Sequence, residues 1–250
     1  MSETIHLGDG DTAVSAYLSE PRGTPRGALI VVHEVWGLVP HTKDVADRFA
    51  AEGYVALAPD LFSVAGLTAD VSGELQRAMF NPDERIRTEA QPRLRAQMSP
   101  TRSPEFAAGA LARVRECFDY LAAREDVGGR VGIVGFCFGG TQAFALAVAE
   151  PRVRAAVPFY GHAEYDAARL RGIGCPILAF YGENDTRLMD GLTGLTDRMA
   201  EAAVDFRPRV YPDCGHAFFN DSNPFAYNEQ AARAAWAETL GFLAQTMGTR

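Results

Sequence analysis

Short apolar segments alternate with amphipathic segments along most of the chain, and this alternation constrains the fold more than any other feature. GALIVVHE, YVALAPD and RVGIVGF have the length and the β-branched content of buried strands, whereas KDVADRFAAEG and TQAFALAVAE have helical patterns. Continuous apolar strands that alternate with helices are typical of a mostly parallel sheet covered by helices on both faces. The sequence therefore predicts an α/β fold in three layers, as a single domain over residues 1–250.

The first residues have a different pattern. TIHLGDGDTAVSAYL alternates between apolar and polar positions and contains Gly-Asp turn signals. This pattern predicts an antiparallel hairpin at the edge of the sheet.

Composition excludes several classes of partner. The net charge of −8 and the isoelectric point near 5.2 disfavour nucleic-acid binding, which normally needs a basic face. The sequence has no secretory signal pattern and no apolar run long enough to cross a bilayer, so we expect a cytoplasmic protein without a membrane partner. It has four cysteines without close pairing, which indicates free thiols: Cys117, Cys137, Cys175 and Cys214.

We expect no metal and no cofactor. HEVWG, which begins at His33, lacks the second histidine that a zinc-binding helix of the HExxH type requires. The remaining histidines are not spaced as metal ligands.

The alternation of apolar and amphipathic segments becomes irregular between Pro59 and Glu105, where four prolines and six arginines occur. Two interpretations are open for residues 60–105: a set of solvated helices, or a lid or rim over a pocket.

Four polar residues follow predicted strands directly. They are Glu34, Cys137, Asp185 and His216. Because the carboxyl ends of parallel strands meet at one edge of a sheet, we expect these side chains to form a site there.

Cys137 lies in the pattern G-x-C-x-G between a strand and a helix, which is the cysteine form of a nucleophile elbow. In such a tight turn, side chains two positions before and after the nucleophile would collide. This explains the glycines at these positions, Gly135 and Gly139. Gly140 relieves crowding where the helix begins. The alternative is a buried core cysteine, which is the interpretation for Cys117 on its helical segment.

A thiol is nucleophilic as the thiolate, so the site needs a group that favours ionisation. The N-terminus of the helix after Cys137 helps through its partial positive charge. His216, in the loop DCGHAF, can take the thiol proton and later donate it to a leaving group. Asp185 can orient the imidazole by accepting its other N–H, with neighbouring Glu183 as the rival for this role.

Four segments, HEVWGL, GFCFGG, YGENDTR and CGHAFFN, in this order resemble the dienelactone hydrolase (carboxymethylenebutenolidase) family of α/β-hydrolases. The resemblance implies hydrolysis of a small-molecule ester or lactone through an acyl-enzyme, with a catalytic triad of Cys137, Asp185 and His216. It also implies that Glu34 interacts with the resting thiol and helps to ionise it when substrate binds.

The same resemblance implies that the backbone N–H groups of Val35 and Phe138 form the oxyanion hole, in agreement with the need for two donors aimed at the developing charge. It implies that Trp36 forms part of the pocket wall, although a core tryptophan is the alternative. Relatives that open dienelactone carry an arginine four residues after the catalytic histidine, where this chain has Asn220. The sequence therefore leaves the identity of the natural substrate open, and a carboxylesterase of unrelated small esters is an alternative.

Two further hypotheses come from other classes. The chain could be a ligand-binding protein that keeps the hydrolase pocket without turnover, or a thiol redox sensor in which Cys214 is the partner of Cys137. We expect a monomer or a small homo-oligomer.

Overall fold

The computed structural model of the protein describes residues 1–63, 66 and 69–248. Within these residues eight strands form one sheet in the order β1-β2-β4-β3-β5-β6-β7-β8. The strands are β1 (Ser2–Leu7), β2 (Val14–Ser19), β3 (Gly27–Val32), β4 (Tyr54–Pro59), β5 (Val131–Phe136), β6 (Ala156–Phe159), β7 (Ile177–Gly182) and β8 (Phe206–Tyr211).

The pairing is antiparallel between β1 and β2 and between β2 and β4, and it is parallel from β4 to β8. The predicted hairpin at the sheet edge and the mostly parallel sheet are both confirmed.

Helices cover both faces of the sheet. They are α1 (Pro40–Ala51), α2 (Ala69–Met79), α3 (Glu84–Met98), α4 (Pro104–Ala122), α5 (Phe138–Ala149), α6 (Ala167–Leu170), α7 (Thr186–Glu201) and α8 (Glu229–Met247). One core cluster contains Phe49 of α1 and Phe242 of α8; the other contains Phe118 of α4, Phe144 of α5 and Met199 of α7. Alternate residues of β3 belong to the two clusters, because successive side chains of a strand point to opposite faces. This is the predicted three-layer α/β arrangement.

Residues 60–105 form an excursion between β4 and β5 that consists mainly of α2 and α3. Along α3 the buried residues are Ala90 and Met98, so most of this helix faces solvent. The solvated-helix interpretation therefore holds for α3. Residues 64, 65, 67 and 68 lie outside the described part of the chain.

Several aromatic contacts join this excursion to the sheet's carboxyl edge. The ring of Phe62 lies against those of His33 and Phe138, with centroids 4.7 and 5.0 Å apart. The rings of Trp36 and Phe80 meet edge to face with centroids 5.2 Å apart. The Arg87 guanidinium lies 4.6 Å from the ring centroid of Phe225, in the loop before α8. Such cation–π contacts contribute about 0.5–1 kcal/mol at exposed positions.

The parallel register brings several strand ends to one edge. Val32 pairs with Gly135, Phe136 pairs with Phe159, and Gly182 pairs with Tyr211. The residues that follow β3, β5, β6 and β7 therefore emerge side by side. In the part of the chain that the structure describes, no helix combines the length and the apolar character needed to span a membrane.

Candidate active site

Cys137 occupies a strained turn between β5 and α5. Its φ of 54° and ψ of −110° lie in a region that non-glycine residues rarely adopt. Strain of this kind persists where the surrounding structure fixes it, and it occurs often at reactive residues. The turn places the thiol at the N-terminus of α5, partly exposed.

The glycines around Cys137 are required because a side chain at these positions would overlap the backbone. A Cβ at Gly135 would lie 2.0 Å from the carbonyl oxygen of Gly139, and one at Gly139 would lie 2.2 Å from the carbonyl oxygen of Val32. A Cβ at Gly140 would lie 2.5 Å from the carbonyl oxygen of Phe159. The turn closes only because these positions carry no side chain.

His216 and Asp185 form a tight pair, with 2.5 Å between the histidine Nδ1 and the aspartate Oδ2. Partial burial opposes protonation of the imidazole, but hydrogen bonding to Asp185 and Cys137, together with their negative charges, raises the pKa of His216 to about 10. The imidazole is thus held in its protonated form at neutral pH between a carboxylate and the thiol group.

Glu183, the rival acid, has a different partner. Its Oε2 accepts a hydrogen bond of 3.4 Å from the backbone N–H of Asp213. Of the two acidic candidates, Asp185 is the one in contact with His216.

Glu34 is 5% exposed, and both of its carboxylate oxygens accept hydrogen bonds. Tyr160 Oη donates to Oε1 at 2.9 Å, and Asn220 Nδ2 donates to Oε2 at 2.7 Å. Asn220 is held in turn by Ser222, whose hydroxyl donates to Asn220 Oδ1 at 2.6 Å. The side chain of Asn220 is therefore engaged inside the protein.

Tyr160 connects Glu34 to the elbow. Burial, the charge of Glu34 and its hydrogen bond, and the charge of Cys137 all raise the pKa of Tyr160 well above its ordinary value, so its hydroxyl remains a donor. Its ring also lies against His216, with centroids 5.0 Å apart. The backbone at Tyr160 has a positive φ of 39°, the second such strained residue in the site.

The backbone N–H groups of Val35 and Phe138 have no hydrogen-bond acceptor among the described residues. Phe138 is the first residue of α5, where N–H groups have no partner within the helix. Trp36 is 9% exposed and packs on Phe80 of the excursion.

His33 is a further buried part of this edge that sequence reasoning did not select. Its Nε2 accepts a hydrogen bond of 3.1 Å from the Leu61 N–H, so its Nδ1 carries the proton and donates to the carbonyl oxygen of Glu34 at 2.6 Å. Its ring stacks on that of Phe138, with centroids 5.8 Å apart. His33 thereby connects the segment after β3 to the segment after β4 and to the elbow.

Sequence reasoning also missed Tyr160, although a signal was present. Tyr160 follows β6 directly, and the strand-end rule that selected Glu34, Cys137, Asp185 and His216 applies to it equally. The role of Asn220 toward Glu34 had no such signal, because it depends on the path of the loop after His216.

Within the described ranges, no group of three or more His, Cys, Asp or Glu side chains is arranged to hold a metal ion. All four cysteines are free thiols, and Cys214 is 2% exposed.

The sheet order, the strained residue after β5 and the acid–histidine pair after β7 and β8 are those of an α/β-hydrolase. The dienelactone hydrolase family model matches residues 14–247, and the chain belongs to this family.

Similar proteins agree with this assignment. A Saccharolobus solfataricus protein provisionally named carboxymethylenebutenolidase is 30% identical over 97% of this chain and 98% of its own length. A Klebsiella pneumoniae structure provisionally described as a dienelactone hydrolase has a TM-score of 0.79 at 25% identity and covers 98% of both chains. For the fold alone, a dienelactone hydrolase-like promiscuous phosphotriesterase from metagenomic libraries has a TM-score of 0.74 at 22% identity, with 98% of both chains covered. The protein is a dienelactone hydrolase-like ester or lactone hydrolase.

Proposed function

We propose that the protein hydrolyses a small-molecule ester or lactone through Cys137 as the nucleophile, with His216 as general acid and base and Asp185 as its orienting partner. The observation that supports this most directly is the imidazole of His216, which interacts with both Asp185 and Cys137 at the strained elbow. A raised histidine pKa beside a thiol favours a thiolate–imidazolium pair, the reactive form of a cysteine nucleophile.

In the first half-reaction the thiolate attacks the carbonyl carbon and forms a C–S bond. The N–H groups of Val35 and Phe138 stabilise the resulting oxyanion, and they are available because no described residue accepts from them. The imidazolium of His216 then donates its proton to the leaving alkoxide as the C–O bond breaks. The product of this step is a thioester between the acyl group and Cys137.

In the second half-reaction His216, now neutral, takes a proton from water, and the hydroxide attacks the thioester carbonyl. The oxyanion forms again at the same two N–H groups, the C–S bond breaks, and the carboxylic acid leaves. Asp185 keeps the imidazole in one orientation through both steps.

Glu34 assists ionisation of the thiol in this proposal. Its carboxylate and the Cys137 thiolate both act on Tyr160, so the two negative groups lie close to one another in a buried environment. Like charges in such a site are unfavourable together. Glu34 acts on the thiol through Tyr160, which donates to its carboxylate and packs against the ring of His216. Trp36 forms part of the pocket wall beside the excursion.

The test is a burst experiment with an activated aryl ester. Wild-type enzyme should release one equivalent of aryl alcohol rapidly and then turn over more slowly, and mass spectrometry should locate the acyl group on Cys137. Cys137→Ala should lose both the burst and the label. The matched control is Cys175→Ala, which removes a buried thiol away from the elbow. Full turnover by Cys137→Ala would overturn the proposal.

A further inference from the structure

His33 is a buried histidine that has no part in the reaction steps proposed above, although it lies beside both backbone donors assigned to the oxyanion. It is 1% exposed and is the first residue after β3. Val35 lies two residues further along the chain, and Phe138 begins α5. The ring of His33 contacts the segment that carries the first donor, and its backbone contacts the segment that carries the second.

The ring of His33 holds the peptide group between Glu34 and Val35. Its Nδ1–H donates to the Glu34 carbonyl oxygen at 2.6 Å, and the Gly37 N–H donates to the same oxygen at 3.2 Å. That carbonyl and the Val35 N–H belong to one planar trans peptide, so they point in opposite directions. The two donors that fix the carbonyl therefore also fix the direction of the Val35 N–H.

The tautomer of His33 is set by a neighbouring backbone group. The Leu61 N–H donates to Nε2 at 3.1 Å, and a backbone N–H can only donate, so Nε2 is unprotonated and the proton is on Nδ1. Burial lowers the pKa of His33, against the opposing effects of backbone hydrogen bonds and the charge of Asp60. At neutral pH the ring is therefore uncharged and presents its single N–H to the Glu34 carbonyl.

His33 also contacts the elbow. Its carbonyl oxygen accepts a hydrogen bond of 3.1 Å from the N–H of Gly139, the residue after Phe138. Its ring stacks on that of Phe138 with an interplanar angle of 20°. Because one residue contacts both segments, it fixes the position of the Val35 N–H relative to the Phe138 N–H. A pair of oxyanion donors stabilises the transition state only when both are aimed at the same oxygen.

We propose that His33 is a positioning residue for the oxyanion hole: its Nδ1–H orients and polarises the peptide between Glu34 and Val35, so that the Val35 N–H points at the oxyanion. The proposal rests on the hydrolysis through Cys137 proposed above and adds a residue to it. Donation to the Glu34 carbonyl strengthens the N–H at the other end of the same peptide, because hydrogen bonds in a chain polarise one another. His33 transfers no proton and stays neutral through the reaction.

The experiment compares two reactions of Cys137 that differ in their need for an oxyanion hole. Acylation by p-nitrophenyl acetate passes through an oxyanion, whereas alkylation by iodoacetamide displaces iodide and forms none. The measured quantity is the ratio of the acylation rate constant, from the p-nitrophenolate burst, to the alkylation rate constant at the same pH. A change in the folded fraction or in thiol ionisation alters both rate constants, so the ratio reports on the oxyanion hole.

His33→Leu removes the N–H donor and should lower this ratio about tenfold, since complete loss of an oxyanion donor costs about 10²–10³-fold in kcat. His33→Asn should restore most of the ratio, because its amide nitrogen is attached to Cγ, as Nδ1 is, and can donate to the Glu34 carbonyl. The matched control is Thr239→Val, which removes a buried hydrogen bond of 2.7 Å to the Ala235 carbonyl within α8. This variant should leave the ratio unchanged.

A crystal structure of the wild type with an aryl trifluoromethyl ketone tests the proposal even if His33→Leu does not fold. In the adduct on Cys137, the former ketone oxygen should lie about 2.7–3.1 Å from the backbone nitrogen of Val35. The hydrogen bond from His33 to Glu34 should be intact. An oxygen directed away from Val35 would overturn the proposal.

The positioning role is also wrong if His33→Leu and Thr239→Val give equal ratios, or if the ratio of His33→Asn is as low as that of His33→Leu. Failure of the parent proposal has a different signature, because Cys137→Ala would then still hydrolyse p-nitrophenyl acetate. Acylation that depends on Cys137 with a ratio insensitive to His33 overturns the positioning role alone.

Discussion

The side-chain amide of Asn220 donates a 2.7 Å hydrogen bond to the carboxylate of Glu34, and both residues are buried. Tyr160 donates to the other carboxylate oxygen, so Glu34 is held by two neutral donors. An arginine at position 220 could meet an anionic substrate, but Asn220 is short and already bonded to Glu34. Position 220 therefore offers no positive charge to a substrate.

Asn220→Ala should destabilise the protein by about 1–3 kcal/mol, because it leaves one oxygen of a buried carboxylate without its donor. It should also change the rate of Cys137 alkylation, since Asn220 and Tyr160 both bind Glu34 and Tyr160 packs against His216. Urea denaturation and iodoacetamide rates across pH measure the two effects.

The control for Asn220→Ala is Ser222→Ala, which removes the hydroxyl donor to Asn220 Oδ1 but leaves the backbone N–H of Ser222 on the same oxygen at 3.0 Å. Its cost should be smaller, and its alkylation profile should match the wild type. Equal effects of the two substitutions would show that Asn220 acts only on its own loop.

The stability of the protein should depend on His216 in alkaline solution. The folded-state pKa of about 10 lies above the unfolded value of about 6.5, so the imidazolium stabilises the folded state. This contribution is complete below about pH 6.5 and is lost as the pH rises through the folded value. The difference in unfolding free energy between wild type and His216→Gln should therefore shrink between pH 6 and pH 10. A difference that stays constant over this range would contradict the prediction.

His33 should make the stability of the protein depend on pH in the opposite direction. Burial lowers its pKa, so the folded state favours the neutral imidazole whose tautomer is fixed by Leu61 and Glu34. Stability should fall as the pH drops below the unfolded value of about 6.5, because the unfolded chain then takes up a proton that the folded chain resists. His33→Gln should remove this part of the acid sensitivity, which denaturation at pH 5 and pH 7 would detect. His6→Gln, on the exposed strand β1, is the comparison variant, and an identical loss of acid sensitivity there would contradict the prediction.

Gly135→Ala should prevent the elbow from closing. The added methyl group would overlap a backbone carbonyl at 2.0 Å, which no side-chain rotation relieves, and we expect a cost above about 3 kcal/mol or a failure to fold. Gly241→Ala is the matched control, because a Cβ at this position of α8 meets nothing within 4 Å. It should be neutral or stabilising by up to about 1 kcal/mol in the same denaturation assay.

The fold was predictable because each of its parts has a local signal. Buried parallel strands appear as continuous apolar runs, and the β1–β2 hairpin appears as alternation around a Gly-Asp turn, so both could be predicted without knowledge of long-range contacts. The strand-end positions of Glu34, Cys137, Asp185 and His216 followed from the same pattern.

The side-chain contacts that could not be predicted depend on the paths of the loops. The hydrogen bond from Asn220 to Glu34 joins residues 186 positions apart in the chain, and no periodicity reports such a contact. A side chain's partners become known only when the neighbouring loop is placed.

The excursion of α2 and α3 leaves the sheet after β4 and returns through α4 to β5, at the strand that delivers Cys137. It meets the sheet's carboxyl edge through Phe62 on His33 and Phe138, Phe80 on Trp36, and Arg87 on Phe225. The register of β3, β5, β6 and β7 is set by backbone pairing among these strands, and no described residue of the excursion belongs to the sheet. The sheet therefore fixes the positions of Cys137, Tyr160 and Asp185, whereas the excursion shapes the surface beside Trp36 and Phe138.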